Sequence, residues 1–143
     1  MRTTGCAAFL MFVILFGAGA TRADDQDAAL AATLRNLIEE SYAAHGRKNV
    51  DQMMGFIDSK SPGYEKTKQA LPSQFELGTA TRLVSFRYIG HDDEFAVARV
   101  KFRTIGKPGT VFVDNIIDTI TAFHQENGQW KFWDQLVLGV ETP

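Results

Sequence analysis

Cysteine is nearly missing from this chain: 143 residues hold one, at position 6. Proline occurs four times, and neither sign of charge dominates, because 15 Lys+Arg face 17 Asp+Glu for a formal net charge of −2. Each shortage excludes something. A lone cysteine leaves no disulfide within the chain and no cysteine-ligated metal site. A balanced charge leaves no broad cationic surface of the kind that nucleic-acid binders present, so no nucleic-acid partner is expected. Nucleotide-binding glycine loops and the Gly-x-Ser-x-Gly elbow are absent. Gly106-Lys107-Pro108-Gly109-Thr110 contains a Gly-Lys pair without the spacing of a phosphate loop and reads as a turn. What remains is 45% apolar and 11% aromatic, sufficient for a packed core and incompatible with wholesale disorder. The length suits one domain.

The one long apolar run is N-terminal. A basic start, Met1-Arg2, precedes the uncharged Cys6–Ala20, and small residues lead to the acidic Asp24-Asp25. That order describes a secretory signal peptide over 1–23, cut after Ala23, and the run is shorter than the ~20 residues of a comfortable membrane span. Cleavage would remove Arg2 and Arg22 with Cys6, leaving a cysteine-free domain over 24–143 with a formal charge of −4. The expected location is periplasmic or secreted, with no membrane attachment after cleavage.

Apolar spacing then predicts three helices. Leu30, Leu34, Leu37, Ile38 and Tyr42 recur on one face of a helix over 25–45, with Gly46 as its terminator. Asn49 and Gln52 are placed as a capping box for a short helix over about 50–57. Ser61-Pro62 starts a helix over about 62–71, which Pro72 is expected to end. From Glu76 onward, segments 78–90, 94–105, 111–125 and 129–138 are rich in Val, Ile, Phe, Thr and Trp and read as strands. Short turns join them, Asn127-Gly128 being the clearest hairpin signal, so the sheet should be an antiparallel meander. Helices grouped before such a sheet make the fold class α+β.

Val50–Asp58, Ser61-Pro62-Gly63-Tyr64, Phe95–Val100, Phe112-Val113-Asp114-Asn115 and Asn127–Phe132 together resemble the NTF2-like (SnoaL-like, cystatin-like cone) superfamily over 27–138. The resemblance implies a cone in which three N-terminal helices pack on a curved four-stranded sheet around a pocket. Its members include isomerases, dehydratases, cyclases and oligomerisation modules, so function must come from the site.

A two-residue Asn127-Gly128 loop sets Gln125 against Trp130, Phe123 against Phe132, Thr121 against Asp134 and Thr119 against Leu136. Ile117, Asn115 and Val113 share that face, which should meet the helices. The opposite face pairs His124 with Lys131, Ala122 with Trp133 and Asp118 with Val137, leaving Ile120 and Trp133 as an apolar patch for a second copy. Pocket residues are therefore expected to be Tyr42, Asn115, Thr119, Thr121, Trp130 and Asp134. Asp134, set among Trp130, Phe132 and Leu136, is one candidate acid or base. Tyr42 and Asp58 are the others: the resemblance implies them, since steroid isomerases of the superfamily use a tyrosine on the first helix and an aspartate after the second.

His45, His91 and His124 show no ligand spacing, so neither a metal nor another cofactor is expected. His45, at a helix end, is placed where a cation is favoured. Arg99, Lys101 and Arg103 share a strand face with either Arg82 or Arg87, an anion or partner patch or simply a solvated face. These features describe an exported homodimer that binds a small apolar molecule or acts as a scaffold without catalysis. The alternatives are a lyase or isomerase, and a dimerisation or partner-binding module.

Overall fold

In the computed structural model, which describes residues 20–142, the chain runs α1 (Ala20–Gly46), α2 (Val50–Gly55), α3 (Tyr64–Glu76), β1 (Thr79–His91), β2 (Phe95–Gly106), β3 (Asn115–Glu126) and β4 (Gln129–Glu141). The strands form one antiparallel sheet in the order β1-β2-β3-β4. The expected α+β architecture is therefore present, with three helices and a four-stranded meander. Most of the signal-peptide segment, 1–19, lies outside the described residues. No described helix is long and apolar enough to cross a membrane.

The core lies where α1 meets the sheet. Leu34, Ile38 and Ser41 of α1 are buried, spaced as one stripe of a helix. Opposite them stand Ala96, Ala98 and Val100 on β2, whose small side chains let the helix approach, and Phe123 on β3. Phe86 and Tyr88 of β1 close one flank and Phe132 of β4 the other. A second cluster joins α2 to α3 through Met54, Leu71 and Phe75.

Asn49 caps α2 as expected, its side chain accepting the Gln52 N–H at 2.9 Å. The helix ends at Gly55, with Phe56 as its C-cap. The left-handed residue after α1 is Lys48 (φ 55°), and Gly46 is still helical. Pro72 does not end α3, which starts after Gly63 and continues through the proline to Glu76. Continuation places Phe75 beside Leu71 on the buried stripe, and that burial offsets the one backbone hydrogen bond a proline forfeits. Ser61 is not the cap; its hydroxyl donates to the Trp133 carbonyl at 2.6 Å. β3 begins at Asn115, so 111–114 is loop and Val113 is 67% exposed instead of facing the helices.

The Asn127-Gly128 turn has positive φ at both residues (53° and 78°), as a tight hairpin requires. It sets Gln125 opposite Trp130 and Phe123 opposite Phe132, and keeps Lys131 opposite His124. One residue further the simple register fails. A bulge at Trp133 puts Asp134 opposite Ala122, Gln135 opposite Thr121 and Val137 opposite Thr119, and a second shift, at Leu138, puts Gly139 opposite Asp118. The expected pairs Thr121–Asp134, Thr119–Leu136, Ala122–Trp133 and Asp118–Val137 are thereby replaced. A single extra residue exchanges the two faces of every residue beyond it.

Candidate functional site

The segment after α2 fastens the helical layer to the edge of the sheet. Ile57 forms a parallel bridge with Phe132: the Asp58 N–H donates to the Phe132 carbonyl at 2.9 Å, and the Phe132 N–H donates to the Phe56 carbonyl at 2.8 Å. This closes one side of a cavity of about 300 Å³ between α1, the α2–α3 segment and β4. Its apolar wall is Tyr42, Met53, Ile57, Phe102, Phe132 and Trp133. Its polar groups are Ser61, Thr67, Asp134 and Gln135. Burial raises the proton affinity of Tyr42, so its hydroxyl stays protonated and can offer a proton to a ligand.

Of the residues expected in a pocket, Tyr42 and Asp134 line this cavity. Asp134 is exposed at its edge instead of buried among Trp130, Phe132 and Leu136, and its carboxylate accepts the Gln135 N–H at 2.8 Å. The Trp133 bulge brings Gln135 to the inner side in its place. The Gln135 amide donates to the hydroxyls of Thr119 (3.3 Å) and Thr121 (3.2 Å), which are buried beneath it. Trp130 lines a different depression of about 480 Å³, with Leu37, Glu40 and Lys131. Asn115, half-buried at the start of β3, lines neither. Gln135 was missed because only the bulge, which carries no sequence mark, turns it inward.

Asp58 is fully buried but does not face the cavity. Its carboxylate accepts from His124 Nδ1 at 2.6 Å and from the Lys60 N–H at 2.8 Å. The His124 ring packs on Phe95 and Trp133, with centroids 4.7 and 5.0 Å away. Trp133, expected as an exposed patch residue, is half-buried in this stack. Beside it Glu126 accepts from Lys131 Nζ at 2.6 Å and from the hydroxyl and N–H of Ser59. These donors hold the Glu126 carboxyl down at about 2, with Lys131 and then Ser59 as the main causes. The linkage follows from the sign of that shift: a depressed acid contributes stability above its ordinary value near 4.3, and that contribution disappears as pH falls toward 2. Glu126→Gln should therefore be less stable than the parent at pH 6 and should converge with it near pH 2, as read by chemical denaturation across that range.

His45 lies in the last turn of α1, as expected. Its ring lies edge-on to Phe75 at 5.1 Å, and burial lowers its proton affinity. Among the described residues no three His, Cys, Asp or Glu side chains gather as metal ligands.

Solved structures share this fold. A protein described as a calcium/calmodulin-dependent protein kinase II association domain, from Xanthomonas campestris, superposes with a TM-score of 0.60 at 10% identity, over 73% of this chain and 83% of its own. One described as a scytalone dehydratase, from Novosphingobium aromaticivorans, gives 0.64 at 12%, over 84% and 91%. A type 2 hexachlorocyclohexane dehydrochlorinase gives 0.52 at 12%, over 83% and 93%. At such identities the likeness establishes the NTF2-like fold and leaves the chemistry open. No curated protein matches the chain in sequence. A family profile, however, matches residues 36–142, which include the C-terminal part of α1 and everything from α2 to β4. The chain thus belongs to the family described as the C-terminal domain of the anti-sigma-I factor RsgI9, and its fold is NTF2-like.

Proposed function

We propose that this chain is an exported NTF2-like domain that binds a small, largely apolar molecule in the Tyr42 cavity and does not transform it. The observation that carries the reading is the composition of that cavity. Six apolar or aromatic side chains line it, and the Tyr42 hydroxyl and Gln135 amide supply neutral polar groups to orient a ligand. Its volume of about 300 Å³ is at the small end of ligand sites. The aspartate that the isomerase likeness nominates, Asp58, is held by His124 away from the cavity. The matched family is named for a regulatory factor, which accords with a domain that binds. Export rests on the order of residues at the N-terminus. A second copy is expected along the outer half of β4, where Leu136, Leu138 and Val140 are 49–64% exposed.

Native mass spectrometry of the full chain, expressed with export, tests the reading. The expected spectrum shows a dimer with a co-purifying small mass, released on denaturation and lost or reduced in Tyr42→Phe. An empty chain that takes up no apolar probe such as a naphthalene-sulfonate dye would overturn it. So would turnover of a carbonyl or hydroxy compound that Asp134→Asn abolishes, which would restore the lyase or isomerase alternative.

A further inference from the structure

The outer face of the sheet is basic along one side. β2 presents Arg99, Lys101 and Arg103 there, and the β1–β2 register sets Arg87 directly opposite Arg99 and Arg82 directly opposite Arg103. Arg82 and Arg87 are five residues apart, so a regular strand would send them to opposite faces. The shift in register at Val84, between Leu83 and Ser85, brings both to the same side. Like charges facing across a strand pair destabilise a sheet, so this arrangement carries a cost.

The acids on that face are already engaged by β2. Asp118 takes Arg99 through two hydrogen bonds, Nε to Oδ1 at 2.9 Å and Nη2 to Oδ2 at 2.6 Å, with Lys101 at 3.5 Å. Lys101 also reaches Glu141 at 3.5 Å, and Arg103 pairs with Asp114 at 3.1 Å. Arg82 and Arg87 have no such partner among the described residues and are exposed. Val84 and Ile89, 49% and 51% exposed, stand in the same strand. Two unpaired guanidinium forks with apolar neighbours thus line an edge strand of a chain that is acidic overall.

We propose that the outer face of β1 docks an acidic polypeptide segment, its carboxylates taken by Arg82 and Arg87 and its apolar side chains by Val84 and Ile89. Charge complementarity selects the partner. Both unpaired cations are arginines, whose planar fork matches a carboxylate in two bonds, and Arg99 already holds Asp118 in that way on the same face. The site lies on the side of the sheet away from α1 and is independent of the Tyr42 cavity.

The experiment is fluorescence anisotropy with the full chain and an end-capped alternating Glu-Val peptide, compared with its Lys-Val and Gln-Val counterparts and with phosphatidylglycerol vesicles. The Glu-Val peptide alone is expected to bind, more weakly as salt rises. Arg82→Glu/Arg87→Glu should weaken it about tenfold or more, since attraction becomes repulsion. Arg35→Glu, on the helical layer, should leave it unchanged, and a thermal melt should show both variants folded. Conservative Arg82→Gln/Arg87→Gln covers the case in which charge reversal unfolds the sheet. Equal binding of all three peptides, no binding at low salt, full affinity in the variants, or vesicle binding without peptide binding would each overturn the proposal, the last in favour of a lipid surface.

Discussion

Phe123→Ala is expected to lower the free energy of unfolding by about 3–5 kcal/mol, the range for deleting a buried aromatic ring. Phe123 is wholly excluded from solvent. It belongs to the one cluster that joins α1 to the sheet, with Leu34, Ile38, Ala96, Ala98 and Val100, and its ring lies 5.4 Å from that of Phe132. Its small neighbours on β2 have no side-chain length with which to fill the space, so the hole should persist. Urea titration would show a lower midpoint with an unchanged slope. A loss under about 1 kcal/mol would mean that α1 collapses onto the sheet and that this packing is looser than the burial implies. Phe132 also walls the cavity, so the variant should bind an apolar dye differently even where it remains folded.

His124→Ala should cost about 3 kcal/mol through a different cause. Here the loss combines the ring packed between Phe95 and Trp133 with one of the two donors to a carboxylate that has no access to water. Taking one donor from a buried carboxylate costs roughly 1–3 kcal/mol, to which the lost ring packing adds. The diagnostic is the double variant. Asp58→Asn in the His124→Ala background removes the stranded charge and should recover much of the loss. Additive losses in a double-mutant cycle would show that the pair contributes nothing as a pair.

Those two residues show where the sequence was readable and where it was not. Phe123 was placed correctly because the hairpin turn counts outward from Asn127-Gly128 and a strand alternates. The count held to Phe132 and failed at Trp133, where one extra residue has no local signature. Asp134 consequently gave up its inward position to Gln135. The Asp58–His124 pair was invisible for another reason. Its members are 66 residues apart, and each had a sufficient local explanation, a turn for one and an outer-face position for the other. Arg82 and Arg87 could not both be placed while the register of the first two strands was open, and a bulge makes them neighbours of the same stripe. Periodic elements were legible, and so was the order of helices and strands. Interruptions of period, and contacts that close over long stretches of chain, were not.

The fastening of residues 56–61 to the β3–β4 hairpin has a kinetic consequence. Every strand pairing in the meander is between neighbours in sequence, so the sheet can assemble through short loop closures. Ile57 meeting Phe132, and Asp58 meeting His124, must instead close loops spanning more than half the domain. That seam should form late and open early, detaching as a unit while the sheet remains intact. Ile57 and Phe132 of that seam also line the cavity, so opening the seam would open one wall of it. Amide exchange at Asp58 and Phe132 would then report the rate at which a ligand can enter and leave.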